Sequence, residues 1–444
     1  MERILIKNGK LVNDGSIFES DLLIEGNTIK RIDADISDTT ARIVDAANKY
    51  ILPGIIDDQV HFREPGLTHK ENIESESRAA VAGGITTFME QPNTNPQTTT
   101  IEKLEQKFEM GAKSAYANYS FLFGGTNDNL EELKKLDRRA CSGVKLFLGS
   151  STGNMLVDDE EVIEKIFRNT EMVISAHCED EETIKSNLEK YKAEYGDAIP
   201  VKNHPLIRSE KACYLSSSKA IALAKKTGAR LHVFHLSTGK ETALFQNDIP
   251  LSEKKVTAEV CIHHLWFSDV DYDSKGTLIK WNPAVKTAAD REQLWAALLD
   301  DRIDVIATDH APHLLTEKDN DYTKAPSGGP LVQHALPAML EKYHQGVISL
   351  ERMVEKMCHN PSILFDIEKR GYLREGYFAD IAIVDLDNPL KISSENILYK
   401  CGWSPFEETT FRSKVTHTFV NGHLAYENGK LSDHRNAMRL TFNR

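Results

Sequence analysis

Hydrophobic and polar residues alternate along both ends of the chain. Near the N-terminus the alternating stretches are separated by turn residues such as Asn8-Gly9, and the same pattern returns at 380–384 and 415–420. Period-two alternation between turns predicts antiparallel strands, each with one buried face. Because both ends behave alike, we predict a small composite β-sandwich domain built from residues 1–50 and 375–444.

Between these ends the pattern changes to short, almost continuous apolar runs that alternate with helical periodicity. The runs cover 51–61, 85–92, 119–124, 143–148, 172–178, 230–236, 256–262 and 303–308. Helical patterns separate most of them, for example at 70–83, 100–114, 208–226 and 287–300. This alternation predicts an α/β fold, a (β/α)8 TIM-type barrel over residues 51–374. A doubly wound sheet is the alternative, but no Gly-rich phosphate loop follows an early strand.

Many of the apolar runs end at a polar residue. These end residues are His61, Asn93, His177, His235 and Asp309. A single inward histidine is more often a core residue than a ligand, but the C-terminal strand ends of a barrel converge on its active site. Several imidazoles with a carboxylate suit Zn²⁺ in a site with an open position. The polar stretch 313–330, which follows the eighth run and contains Pro and Gly, predicts a lid over this site.

One apolar run, Gly143-Val144-Lys145-Leu146-Phe147-Leu148, contains a lysine. A buried ammonium group without a partner costs several kcal/mol, so it is either paired or chemically changed. A neutral lysine can add CO2 and become a carbamate, an anion whose two oxygens can bridge two metal ions. We therefore predict an N6-carboxylated Lys145. The alternative is a lysine that points outward and pairs with a carboxylate.

The end of the first run, DDQVHFREPG, carries further polar residues. Alternation turns Gln59, His61 and Arg63 to the same side. Arg63 offers a fork of donors and Asn93 an amide, so the two predict a clamp for a substrate carboxylate. Asn93 taken alone could instead cap the helix that follows it.

Composition narrows the class of protein. Among 444 residues, 27% are charged and 40% hydrophobic, with a net charge of -13. The charge argues against nucleic acid or an anionic membrane as the main partner. Six scattered cysteines without a Cys-X-X-Cys pair fit a reduced compartment. With no apolar stretch near ~18 residues, we expect a soluble, cytoplasmic protein that acts on a small molecule.

Six sequence motifs carry a resemblance to a known family. They are PGIIDDQVHFREPG (53–66), EQPNTNP (90–96), VTAEVCIHH (256–264), WNPAVK (281–286), VIATDHAPH (305–313) and KCGWSPFE (400–407). With them the chain resembles, nearly end to end, the dihydroorotases of the amidohydrolase superfamily. An arginine two residues after the first-strand histidine, together with PNTNP and ATDHAPH, is typical of dihydroorotases. The allantoinases and dihydropyrimidinases of the same cyclic amidohydrolase group usually lack that arginine.

The resemblance implies a reaction and a role for each matched residue. The reaction is the reversible cyclisation of N-carbamoyl-L-aspartate to L-dihydroorotate in pyrimidine biosynthesis. His61 and Asp309 would hold the more buried zinc ion, His177 and His235 a second, and carboxylated Lys145 would bridge the two. Arg63, Asn93 and His313 would bind the substrate carboxylate, while Asn282, Ser327 and Gly328 would hold the ring amides. Asp309 would also carry the proton.

One residue departs from the family pattern. Dihydroorotases of this kind usually read Asp-X-His-X-His on the first strand, whereas Gln59 replaces the first histidine here. An amide oxygen binds zinc weakly, and alternation turns Asp58 away. We therefore expect one tightly bound zinc ion at His177 and His235, and a second that is partial or absent.

Two alternative functions remain open from the sequence. One is an allantoinase or another cyclic ureide or imide hydrolase. Another is a catalytically impaired dihydroorotase homologue that acts as a structural partner, for which Gln59 is the only argument. The sequence also leaves the oligomeric state open, with a homo-oligomer among the expectations.

Overall fold

The computed structural model describes residues 2–149 and 155–444. Its strands are β1 (Arg3–Asn13), β2 (Ser16–Glu25), β3 (Thr28–Asp33), β4 (Arg42–Asp45), β5 (Tyr50–Pro53), β6 (Ile55–Val60), β7 (Ile85–Glu90), β8 (Asn118–Phe121), β9 (Phe123–Gly124), β10 (Val144–Phe147), β11 (Ile174–His177), β12 (Leu231–Val233), β13 (Val256–Cys261), β14 (Val305–Ala307), β15 (Ile381–Asp385), β16 (Leu390–Lys391), β17 (Thr410–Phe411), β18 (Lys414–Val420), β19 (His423–Glu427) and β20 (Lys430–Leu431).

The structure has α-helices at the four stretches predicted to be helical, 70–83, 100–114, 208–226 and 287–300, and at further positions, most of them between the barrel strands. They are α1 (Ile73–Ala82), α2 (Ile101–Ser114), α3 (Leu130–Leu133), α4 (Glu160–Asn169), α5 (Glu181–Tyr195), α6 (His204–Ile207), α7 (Glu210–Thr227), α8 (Ile262–Trp266), α9 (Tyr272–Lys275), α10 (Ala288–Leu299), α11 (Leu315–Lys318), α12 (Ala335–His344), α13 (Leu350–Val354) and α14 (Asn360–Leu364). Within the described ranges, none of these helices has the length and apolar character needed to span a bilayer.

Strands from both ends of the chain form one nine-stranded sheet. Its order is β20-β19-β18-β15-β5-β1-β2-β3, and β4 pairs with β1. β15 pairs antiparallel with β18 on one side and with β5 on the other, so it joins the two ends. The prediction that both ends build one β unit agrees with this pairing. The domain limits 1–50 with 375–444, and 51–374, stay a prediction.

Parallel strands form the predicted barrel. β6, β7 and β8 make one parallel group, and β9 to β14 make another. β8 and β9 flank Leu122 as two halves of the third barrel strand: the first half pairs with β7 and the second with β10. The ring closes where the backbone N–H of His61 donates to the carbonyl of His310 at 2.7 Å. The α/β class and the TIM-type barrel are therefore confirmed.

The first predicted run, 51–61, divides into two strands that belong to different sheets. β5 lies in the nine-stranded sheet and β6 in the barrel, with Gly54 between them. A Cβ at Gly54 would lie 2.1 Å from the hydroxyl of Thr86, so only glycine allows the chain to pass here. Continuous hydrophobicity hides this change of sheet, because both strands are buried.

β6 also contains a register shift between Asp57 and Val60. The shift breaks the alternation, so Asp58 lies inside the barrel with its carboxylate 3.4 Å from His232 on β12. β12 is three strands away from β6 around the ring, so the two meet only through the interior. The expectation that alternation turns Asp58 away is wrong, because the register shift changes the side of the strand that Asp58 faces. Asp58 nevertheless does not join Gln59 in the cavity wall described below.

Apolar side chains close the end of the barrel where the strands begin. Residues of three barrel strands, and Val173 just before a fourth, pack there against the C-terminal tail, in a cluster that contains Ile56, Met89, Val173, Val305, Phe365, Leu440 and Phe442. The tail is held by backbone bridges from Arg439 to Tyr119 and from Phe442 to Ile367. The polar residues of the barrel therefore lie between this apolar floor and the C-terminal strand ends.

Candidate active site

A cavity lies at the C-terminal ends of the barrel strands. Predicted site residues make up most of its wall, namely Gln59, His61, Arg63, Asn93, Lys145, His177, His235, Asn282, Asp309, Ser327 and Gly328. Phe147, Trp281 and Ala311 complete it. His313 is the one predicted site residue outside this wall. The structure thus brings the predicted residues together, while the role of each stays a prediction.

Three residues of the cavity wall have a left-handed backbone conformation. The φ angles are 65° at Arg63, 41° at His235 and 47° at Asp309. Such angles are uncommon outside glycine and cost on the order of 1–3 kcal/mol each, so the surrounding structure must hold them in place. All three residues lie just after barrel strands, where an abrupt turn directs the side chain into the cavity. This local strain marks the strand ends as a functional region.

His177 and His235 face each other with Nδ1 of the first 3.0 Å from Nε2 of the second. Burial lowers the pKa of both imidazoles, so both are neutral. The other ring nitrogen of His177 lies 3.0 Å from Glu179, which also pairs with Arg208. A carboxylate behind a histidine orients the ring and is typical of metal ligands. Within the described ranges, Nδ1 of His235 is buried without a hydrogen-bond partner.

His61 forms a second pair with Asp309. Nδ1 of His61 lies 2.8 Å from the side-chain oxygen of Asn93, which can only accept, so Nδ1 carries the proton. The lone pair of Nε2 is then directed at a carboxyl oxygen of Asp309, 3.3 Å away. Burial lowers the pKa of His61 well below its usual value and raises that of Asp309 well above its own. A lone pair facing a carboxyl oxygen requires a proton or a cation between them, which fits a metal site.

Lys145 is part of the same cavity wall and does not point outward. Its Nζ is 4.0 Å from the ring centre of Phe234 and 4.8 Å from that of Phe147. Burial lowers the pKa of Lys145 to about 7, against the opposing charges of Glu259 and Asp309. An amine with this pKa is substantially neutral at physiological pH, and neutrality is what addition of CO2 requires.

Arg63 is held from behind by a polar network. Its Nε donates to the carbonyl of Pro312 at 3.0 Å, and its Nη2 lies 3.1 Å from Nε2 of His313. Lys70, which the sequence did not single out, donates to the other nitrogen of His313 at 2.8 Å. Nε2 of His313 also lies 3.1 Å from the carbonyl oxygen of Ser327. His313 supports Arg63 and the Ser327 segment from outside the cavity wall.

The guanidinium of Arg63 lacks a carboxylate within ion-pair distance in the part of the chain that the structure describes. The side chain is 3% exposed and lines the cavity. Burial lowers the pKa of Arg63 only to about 10, so it stays charged at neutral pH. Buried charges are normally paired. The guanidinium of Arg63 is therefore suited to bind an anionic ligand in the cavity.

The predicted lid, 313–330, packs down on the cavity around a buried lysine. Nζ of Lys318 donates to three carbonyls, those of Lys280 at 3.3 Å, Pro326 at 2.9 Å and Gly328 at 2.7 Å. Gly328 has a φ of 127°, and a Cβ there would lie 2.3 Å from the carbonyl oxygen of Ala311. Lys318 thus fixes the turn that brings Ser327 and Gly328 into the cavity wall.

Asn282 contributes an acceptor to the same wall. Its side-chain oxygen is buried and has no hydrogen-bond partner among residues 2–149 and 155–444. A buried polar atom without a partner costs about 1–3 kcal/mol. The oxygen is therefore suited to accept an N–H group of a ligand.

A second polar cluster lies in the barrel interior and was missed from the sequence. Asp58, His232 and Glu259, called here the interior triad, are all buried, with ligand atoms within 4.8 Å of one another. Glu259 also accepts the backbone N–H of His235 at 3.1 Å. The motif VTAEVCIHH contains Glu259, but a linear motif cannot reveal partners on β6 and β12.

The model of the "Amidohydrolase family" matches residues 50–425, which is most of the chain. The chain belongs to the amidohydrolase family. This amidohydrolase is 34% identical over 419 residues to a dihydroorotase of Methanosarcina mazei, covering 92% of this chain and 91% of the relative. It is 33% identical over 435 residues to a dihydroorotase of Staphylococcus epidermidis, covering 96% and 100%.

The similar solved structures are hydantoinases and dihydropyrimidinases, whereas the relatives named above are dihydroorotases. The amidohydrolase is similar to an L-hydantoinase (dihydropyrimidinase) from Arthrobacter aurescens, with a TM-score of 0.94, 28% identity, and coverage of 99% of this chain and 100% of the other. A dihydropyrimidinase from Brevibacillus agri has a TM-score of 0.89 at 24% identity, with full coverage of both chains, and supports the fold alone. The family and fold expected of this amidohydrolase from its motifs are thus confirmed.

Proposed function

We propose that the protein is a dihydroorotase, which interconverts N-carbamoyl-L-aspartate and L-dihydroorotate. The observation that carries this proposal is Arg63, a buried, charged guanidinium in the cavity wall without a carboxylate partner in the described ranges. Both substrates carry a carboxylate that would complete the pair, and a guanidinium binds it through two parallel hydrogen bonds. The names of the relatives from Methanosarcina mazei and Staphylococcus epidermidis support the same reaction.

The residues of the cavity fit zinc. His177 and His235 would hold one ion, His61 and Asp309 the other, and a carbamate on Lys145 would bridge them. The neutral imidazoles and their outward hydrogen-bond partners are the arrangement that zinc ligands need. Bound zinc would lower the pKa of a water molecule and polarise the ring carbonyl.

The side chains of the cavity can position the ring and move a proton. Arg63 would fix the carboxylate of dihydroorotate, and the free oxygen of Asn282 would accept a ring N–H. In hydrolysis, water adds to the ring carbonyl and the C–N bond breaks. Asp309 takes the proton from the attacking water and delivers it to the departing nitrogen. Cyclisation runs through the same steps in reverse.

A second candidate function is hydrolysis of an uncharged cyclic ureide or imide. The similarity to an L-hydantoinase at 28% identity favours it. Hydantoin, dihydrouracil and allantoin have no carboxylate, so they would leave Arg63 unpaired. A structural, catalytically impaired homologue is the third candidate, and only Gln59 argues for it.

The first prediction separates these candidates by substrate. We expect purified, zinc-loaded protein to interconvert carbamoyl-aspartate and dihydroorotate, with little turnover of hydantoin, dihydrouracil or allantoin, because only the first pair satisfies Arg63. The measurement is turnover of each compound at matched concentration. Turnover of allantoin or dihydrouracil without turnover of dihydroorotate would contradict the proposal. Full zinc content without turnover of any of them would support the impaired homologue.

The second prediction concerns Gln59. We expect zinc to occupy the position between His61 and Asp309 less than the position between His177 and His235, since an amide oxygen is a weak zinc ligand. Anomalous diffraction at the zinc edge measures the two occupancies separately. Gln59→His should raise the occupancy at His61 and Asp309 and leave the other unchanged. Equal, full occupancies in the natural protein would show that Gln59 does not weaken the site.

A further inference from the structure

We propose that the interior triad is a separate site for a divalent metal ion, most suitably Zn²⁺, below the catalytic cavity. Nε2 of His232 lies 3.4 Å from a carboxylate oxygen of Asp58 and 3.8 Å from one of Glu259. Ligand atoms around a tetrahedral zinc ion lie about 3.3–3.4 Å apart, given bonds of roughly 2.0–2.1 Å. Those two separations are within about 0.5 Å of that spacing, and all three ligand atoms lie within 4.8 Å of one another.

The hydrogen bonds of His232 fix which nitrogen carries the proton. Nδ1 lies 2.8 Å from the hydroxyl of Thr257, and that hydroxyl donates to the carbonyl of Leu231 at 3.3 Å. The hydroxyl therefore accepts from His232, so Nδ1 is protonated. Nε2 faces the two carboxylates: burial opposes a charge on the ring, but Asp58 and Glu259 raise the pKa of His232 to about 9. This arrangement is unfavourable unless a proton or a metal ion lies between them, and a ring nitrogen fixed from behind is typical of metal ligands.

Charge favours a divalent metal ion over a single proton on His232. Both carboxylates are buried, and within the described ranges both oxygens of Asp58 and one oxygen of Glu259 have no hydrogen-bond partner. A proton on His232 would neutralise one carboxylate and leave the other, whereas a divalent ion neutralises both. Lys145 interacts with Glu259, but it is substantially neutral at physiological pH, and conversion to a carbamate, as in the proposed function, would make it an anion. With two carboxylates and a neutral imidazole, a divalent ion gives the triad a net charge of zero, whether or not Lys145 is carboxylated.

The surroundings of the triad favour a structural ion. His232 packs edge-on against Phe234 and Phe365, with ring centres 5.5 and 6.0 Å away. One imidazole and two carboxylates form a donor set that zinc accepts. Because Glu259 also accepts the backbone N–H of His235, an ion in the triad would stiffen the left-handed strand end that carries a catalytic histidine.

The decisive experiment is anomalous diffraction at the zinc edge from crystals of the full-length, unmutated protein loaded with zinc. We expect a peak surrounded by Asp58, His232 and Glu259, at roughly 2.0–2.2 Å from each ligand atom. Strong peaks in the catalytic cavity with none in the triad would overturn the proposal and identify the triad as an imidazolium paired with carboxylates. The result does not depend on which substrate the enzyme uses, so the two proposals can fail separately.

Zinc content of variants tests the site in solution. Asp58→Asn should lose about one equivalent of zinc after dialysis, because the amide is a weak ligand. Glu241→Gln is the matched control, since Glu241 is equally buried but bonds to Ser217 and Thr238 outside the triad. We expect Glu241→Gln to keep the zinc content of the natural protein. Equal zinc content in Asp58→Asn and the natural protein would contradict the proposal.

Discussion

Arg63→Met is expected to reduce kcat/KM for dihydroorotate by roughly 30-fold to several thousand-fold, which corresponds to about 2–5 kcal/mol. The reason is that the substrate carboxylate would enter a buried cavity without its cation. Steady-state kinetics in both directions measure the effect. Arg63→Lys, which keeps the charge but loses the fork of donors, should retain part of the activity.

The zinc content of Arg63→Met is the control for this variant. Because the guanidinium of Arg63 lines the cavity, contacts Pro312 and His313 and is not one of the proposed zinc ligands, its loss should leave the zinc content unchanged. A kcat/KM within a few-fold of the natural value, at full zinc content, would contradict the role of Arg63 in binding the carboxylate.

Lys145→Ala is expected to lose the bridged metal and to lower turnover on the order of 100-fold or more, since even residues that only support a ligand contribute 10–100-fold. Zinc analysis and turnover measure both effects. A short carboxylic acid such as propionate should partly restore both by taking the place of the carbamate. Lys356→Ala is the matched control, because Lys356 is also a buried lysine but pairs with Asp301 far from the cavity.

Crystals of the natural protein provide a direct check on the same residue. Electron density should continue beyond Nζ of Lys145 as a planar CO2 group whose oxygens lie about 2.0–2.2 Å from metal. An unmodified ammonium group farther than about 5 Å from any metal ion would refute the carbamate, because its oxygens could not reach.

The barrel and most of the cavity wall could be predicted because the relevant signals are local in sequence. Buried parallel strands appear as apolar runs, and a polar residue at the end of a run shows where a strand reaches the catalytic face. His61, His177, His235 and Asp309 carry this signal. The resemblance to the dihydroorotases added Asn282, Ser327 and Gly328, which have no periodic signal of their own.

The remaining features depend on geometry between distant strands. The direction of Asp58 follows from the register shift in β6, which alternation cannot anticipate. The interior triad joins β6, β12 and β13 across the barrel, so no spacing within one segment reveals it. His313 lies behind Arg63 because Lys70 and Ser327 bind its two ring nitrogens. Each of these required the positions of side chains that are far apart in the chain.

The nine-stranded sheet contains strands from both ends of the chain, so it cannot be completed until synthesis is nearly finished. β5 ends at Pro53, and its partner β15 begins at Ile381, more than 300 residues later. At about 5–20 residues per second, the ribosome needs roughly 15–65 s to supply that partner. Throughout this interval one edge of β5 is an unpaired apolar strand, the kind of surface that aggregates or recruits chaperones. The barrel between the two strands must therefore begin to collapse while the sheet beside it is still half built.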